Sequence, residues 1–100
     1  MSTIAVATVL NARALANEWL SEQLPDRFAS GIPQLDEPRA AWRIPVWLAY
    51  PRLEPFGPVG EIVIDAVNGT VKQHTPLMEF KANAQRLYEQ HREQIEAPIL

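Results

Sequence analysis

Along this 100-residue chain the spacing of apolar positions changes from helical to alternating and back to helical. Between Thr8 and Leu24, the residues Val9, Ala12, Ala16, Trp19, Leu20 and Leu24 recur three or four apart, with Asn11, Arg13, Asn17, Glu18 and Glu22 between them. That spacing predicts an amphipathic helix. Ser2, Thr3 and Thr8 are each competent N-caps, and Pro25 ends the helix by disfavouring helical geometry at Leu24. From Asp26 to Arg39, Gly31, Pro33 and Pro38 restrict the chain to a short irregular strand around Phe28 to Leu35.

Ala41 to Tyr50 alternates with period two, which puts Trp42, Ile44, Val46, Leu48 and Tyr50 on one face and Arg43, Pro45, Trp47 and Ala49 on the other. Pro45 has no N–H to donate, so either this strand lies at a sheet edge or its Pro45 side is unpaired or bulged. A stiff loop, Pro51 to Gly60, carries Leu53 and Phe56 among three prolines and two glycines. The alternating segment from Val59 to Val67 then runs into Asn68-Gly69 and emerges apolar at Val71. Asn-Gly suits the positive φ angles of a two-residue type I′ turn. In that register Ala66 faces Val71 and Asp65 faces Lys72; a three-residue loop with a bulge would shift both pairs. Thr75-Pro76 reads as N-cap and first helical residue. The following stripe of Leu77, Phe80, Ala84, Leu87, Tyr88, His91 and Ile95 extends one helix towards Pro98. The expected architecture is a single α+β domain over residues 1–100. Two terminal helices cover one face of a small antiparallel sheet of three to four strands.

The hairpin residues Gly60-Glu61-Ile62-Val63-Ile64-Asp65-Ala66 and Asn68-Gly69-Thr70-Val71, with Trp42 on the preceding strand and the Ala-rich helix before it, resemble PepSY-like domains. The resemblance covers roughly Thr8 to His74. It implies a cystatin-like α+β layer and a non-enzymatic role in binding or inhibiting a partner, and it brings no catalytic residue. The long final helix lies outside that unit, and an export signal of the kind common in such domains is not evident.

Charge and composition narrow the partners. A net charge of −3 and 21% charged residues argue against nucleic acid, whose binders present a basic face. With no Cys, disulfides, zinc-thiolate sites and thiol nucleophiles are excluded together, which fits a reducing compartment. The apolar stretch Ile4 to Leu10 has no positive segment before it and meets Asn11 and Arg13 soon after, so it reads as helix and not as a signal peptide. No apolar run reaches the roughly 18 residues of a membrane span. The chain reads as soluble and cytoplasmic, with no membrane partner.

Chemistry is sparse. His74 and His91 are seventeen residues apart with no ligand spacing around them, so no metal site and no cofactor is expected. Ser2, Ser21 and Ser30 sit in no nucleophile elbow, and no Gly-rich phosphate loop exists. Asp65 reads as a strand residue that pairs Lys72 or bonds the turn backbone. The aromatic residues say more. If the helices cover the Trp42 face, the other face presents Trp47, Val63 and Val67, more apolar than a solvated face requires. Either a partner docks there, or the irregular chain of 26–39 or 51–60 folds over it. Phe56 and Tyr50 border this surface, and Ile99-Leu100 could add an apolar anchor. Two functions are therefore open. One is a small non-enzymatic interaction module that binds or inhibits a partner protein, or forms a homodimer, through a sheet face or edge. The other is a small-ligand carrier or enzyme with a cleft between helix and sheet holding His91 or His74 and a carboxylate.

Overall fold

The computed structural model describes residues 6–97. Helix α1 spans Val9–Gln23, and of the three candidate caps the described one is Thr8, whose hydroxyl accepts the Asn11 N–H at 3.1 Å. Ser2 and Thr3 lie outside the described residues. Leu24 closes the helix in extended geometry, as a residue before proline must. Ala12, Ala16 and Leu20 form the buried stripe; the two alanines let the helix axis sit close to the sheet.

Five strands follow: β1 (Phe28–Ser30), β2 (Gln34–Asp36), β3 (Ala41–Leu48), β4 (Phe56–Asp65) and β5 (Val71–His74). All pairings are antiparallel, in the order β1-β3-β4-β5, with β2 also on β3. The fold is therefore α+β, with one strand more than the upper expectation. The segment expected to give one irregular strand gives two, because Gly31 to Pro33 interrupts it. β1 pairs with residues 46–48 of β3 and β2 with residues 41–43.

That interruption answers the problem posed by Pro45. β3 is a central strand, and Pro45 faces the gap between β1 and β2. Its carbonyl accepts the Gly31 N–H at 2.7 Å on that side, where the missing donor would also have pointed. The alternation of β3 holds, with Trp42, Ile44, Val46 and Leu48 buried.

The hairpin turn departs from the expected form. Ile64 pairs with Val71 and Val63 with Gln73, so Lys72 is the extra residue of a bulge. Asn68 is not in positive φ, as a type I′ turn would require, whereas Gly69 is, at 76°. The Asp65 carboxylate decides the outcome: its Oδ1 accepts the N–H of Val67 at 2.7 Å and of Asn68 at 3.2 Å. The Asp65 carbonyl takes the Gly69 N–H, and the Asp65 N–H donates to Thr70. Ala66 thus does not face Val71, although the Asp65–Lys72 ion pair survives at 3.9 Å.

Thr75 also takes another role than helix cap. Its hydroxyl accepts the Glu61 N–H at 2.9 Å and its own N–H donates to the Glu61 carbonyl, prolonging the β4–β5 ladder. Helix α2 is Leu77–Gln90, with Pro76 as its cap. It ends at His91, and a separate turn, α3 (Arg92–Ile95), follows. The stripe from Leu77 to Ile95 is buried or half-buried throughout, as its spacing requires.

Both long helices lie on the Trp42 face of the sheet, α1 against β1, β3 and β4, and α2 against β4. They meet through Trp19 and Phe80, whose rings are 6.4 Å apart. Phe80 is fully buried over Gly60, where an added Cβ would lie 2.4 Å from its ring. Burying a phenylalanine in this way contributes about 1.5–3 kcal/mol relative to exposure. Trp42 brings a polar atom into this core and satisfies it, its indole N–H donating to the Val6 carbonyl at 2.8 Å. Among the described residues no helix is long and apolar enough to cross a membrane.

Candidate functional site: the open sheet face

With both helices on one side, the face carrying Ala41, Arg43, Pro45 and Trp47 on β3 and Glu61, Val63 and Asp65 on β4 has no helix above it. Register sets its chemistry row by row. Arg43 stands opposite Val63, which in turn stands opposite Gln73; Pro45 stands opposite Glu61. The Arg43 guanidinium reaches diagonally to both Glu61 carboxylate oxygens at 3.2 Å. Asp65 meets Lys72 at one end, and Asp36 meets Arg39 at 3.7 Å beyond the β2 side. These pairs border a depression of about 400 Å³ that also involves Ala41, Val63 and Gln73.

Trp47 lies further along the same face, half-buried against Gly31, between β1 and β2, and Gly57, at the start of β4. A Cβ on Gly31 would fall 1.7 Å from its indole nitrogen, and one on Gly57 would fall 3.1 Å from its ring. The backbone at Gly31 therefore closes on one end of the indole and that at Gly57 on its six-membered ring. Of the two sequence alternatives for this face, the one in which irregular chain folds over it holds at Trp47 only. The chain of 26–39 and of 51–60 approaches Trp47, but neither segment covers Val63, which stays half-buried.

The five residues expected at one surface divide among three places. Trp47 and Val63 share the open face, separated by the Pro45–Glu61 row and the Arg43–Glu61 ion pair. The face is thus a charged surface with two apolar positions, and not the continuous apolar patch expected. Val67 is exposed in the hairpin turn. Phe56 and Tyr50 belong to the helix side, because Phe56 pairs with the core-facing Leu48 and both pack against the core cluster. There they form an aromatic group with His91, whose ring stacks on Phe56 at 4.3 Å. The parity of Tyr50 with Leu48 already carried that signal; for Phe56 only the strand register does. Ile99-Leu100 lie outside the described residues.

The two histidines considered in the alternative reading lie in separate places, His74 beside Glu61 and His91 beside Glu89 and Glu93. His91 stacks on Phe56, whereas His74 packs on Trp19 at 4.7 Å with Nδ1 against the Thr75 carbonyl at 2.7 Å. His74 pairs with core-facing Ile62, and it borders a shallow depression of about 370 Å³ with Glu61, whose carboxylate is held by Arg43. Among the described residues no group of three His, Asp or Glu side chains is placed to hold a metal ion.

Two edge strands, β1 and β5, are guarded against strand addition in ways that sequence reasoning missed. Ser30 on β1 is buried, and its outward N–H donates to Asn17 Oδ1 at 2.9 Å, while its carbonyl accepts from Arg13 at 3.5 Å. Two residues of α1 that read as solvated thus cap a strand edge. At the other edge the Lys72 bulge and the charge it carries interrupt β5. Both are recognised devices against edge pairing.

Comparison with family models, curated proteins and solved structures gave no match.

Proposed function

We propose that this chain is a small non-enzymatic interaction module, of PepSY-like kind, that docks a segment of a partner protein on the open sheet face. The supporting observation is the depression beside Val63, lined by Arg43, Glu61 and Lys72 on a face that neither helix covers. Trp47 and Val63 are its apolar anchors. A half-buried tryptophan held by neighbouring backbone loses little conformational entropy on contact, which is the usual character of an interface hot spot. The ion pairs at the rim contribute orientation and association rate more than affinity. Face docking is favoured over strand addition at β1 and β5, because the first is capped by α1 and the second is bulged. Binding or inhibition of a partner protein is the role, a second copy of the chain is one such partner, and the lack of cysteine supports a cytoplasmic setting.

The test places a photo-crosslinking amino acid at Val63 and, separately, at Glu22 on the exposed side of α1, in cells that express the protein. A covalent adduct of one defined mass is expected from position 63 alone, and it is lost when Trp47→Ala is added. Equal adducts from both positions, or none from position 63, would reject the reading. Light scattering on the purified chain distinguishes a second copy from another protein.

A further inference from the structure

A groove of about 300 Å³ lies on the other side of the molecule, between α2 and the end of the sheet where β1 meets β3. Phe28, Leu48 and Ala84 line it, two of them nearly fully buried, so its floor is apolar and fixed by the core. Arg27 and Lys81 stand at its sides. Among the described residues neither is in an ion pair, in a chain that is acidic overall. Asp26 is the one carboxylate of the lining, leaving two cations against one anion. The nearby Glu96, bonded by the Tyr88 hydroxyl, is already met by Arg92 at 3.4 Å.

Arg27 is the second observation. Its φ of 96° is a conformation that side-chain-bearing residues rarely adopt. It is held there by its carbonyl, which accepts the Ala49 N–H at 2.6 Å, and by its guanidinium, 5.2 Å from the centre of the Tyr50 ring. Backbone strain of this kind persists only where the surroundings enforce it, and it concentrates at binding sites. Here it fixes a cation beside an apolar floor.

From this we infer a binding site for a small amphipathic carboxylate, an aryl or short alkyl acid, whose apolar body lies on Phe28, Leu48 and Ala84 and whose carboxylate meets Lys81 and Arg27. The volume is at the lower limit of small-ligand sites, which sets the size of the ligand. Charge complementarity selects the acid over the neutral analogue. The site lies on the opposite side of the sheet from the docking face and does not rest on that reading.

Phenylacetate, 2-phenylethanol and acetate, each titrated into the ¹⁵N-labelled full chain, test this. Phenylacetate is expected to give saturable shifts at the amides of Arg27, Phe28, Tyr50, Lys81 and Ala84, with a Kd on the order of 1 mM. 2-Phenylethanol should bind roughly fivefold more weakly, since two exposed ion pairs each contribute modestly, and acetate should give no saturable shift. Lys81→Gln, at an exposed helix position, should weaken phenylacetate roughly two- to fivefold. Arg27→Gly removes the cation while accepting the same φ, so it should fold at least as well as the parent and bind more weakly. Shifts scattered over the surface, equal binding of acid and alcohol, or undiminished binding by both variants would overturn the assignment.

Discussion

Replacing Asn17 by alanine separates two physical accounts of one exposed helix position, because they differ in sign. Helix propensity alone favours alanine over asparagine by about 0.5–0.7 kcal/mol, so a solvated Asn17 would yield a more stable variant. The structure gives Asn17 a partner outside the helix, the Ser30 N–H at 2.9 Å, in a residue only 4% exposed. β1 pairs with β3 on its inner side, so this N–H points away from the ladder and has Asn17 as its acceptor. Leaving a buried donor unpaired costs about 1–3 kcal/mol. Subtracting the propensity gain leaves a net destabilisation of about 0.5–2.5 kcal/mol. With a slope of about 1–1.5 kcal/mol/M for a chain of this size, the urea midpoint should fall by roughly 0.5–2 M. Asn17→Asp keeps an oxygen acceptor and should stay close to the parent, and Glu18→Ala, one position along on the exposed surface, should change stability by less than about 0.5 kcal/mol. An Asn17→Ala chain as stable as the parent, or more so, would refute the edge-cap account.

Substitutions at three further positions test close packing and the turn. Gly60→Ala should lower stability by about 1–3 kcal/mol and the thermal midpoint by several degrees, because its Cβ meets the buried Phe80 ring at 2.4 Å and Thr75 Oγ1 at 2.9 Å; a normal melt would show that the ring has room to retreat. Gly31→Ala should displace the Trp47 indole, seen as a red shift in tryptophan emission, and in the crosslinking experiment it should weaken the adduct from position 63 as Trp47→Ala does. Asp65→Ala should cost about 1–2 kcal/mol in urea unfolding, through loss of the acceptor for Val67 and Asn68. Asp65→Asn, which keeps Oδ1 and loses only the exposed pair with Lys72, should cost well under about 1 kcal/mol. Equal losses for the two would assign the role of Asp65 to its charge.

Where a decision depends on neighbours three or four residues apart, the sequence carries it; where it depends on a partner brought in by the fold, it does not. The α1 stripe, the β3 alternation and the α2 stripe are all local periodicities, and each turns its stripe towards the core, with Val9 at the start of α1 as an exposed exception. The antiparallel α+β arrangement follows from their order. The turn marks the boundary. Asn68-Gly69 is a strong signal for a two-residue loop, yet Asp65, three residues before Asn68, offers a carboxylate that holds two N–H groups at once and draws the chain into a wider turn. Thr75 has the same history, because its hydroxyl meets the Glu61 N–H before it can cap a helix, fourteen residues away in the chain.

The two candidate sites lie beyond that boundary for the same reason. Alternation assigns Trp47 to the face opposite Trp42, but whether a face is covered depends on the path of Gly31 and Gly57, which no local pattern encodes. The apolar patch expected from Trp47, Val63 and Val67 likewise assumed that residues of one parity are neighbours. Register interposes the Arg43–Glu61 pair and the turn carries Val67 away. Arg27 is harder still, since positive φ is ordinarily signalled by Gly, Asn or Asp and arginine gives no such sign. Its conformation is set by Ala49 and Tyr50, more than twenty residues later in the chain. A strain enforced from that distance is a property of the assembled sheet end, and the groove it borders is legible only there.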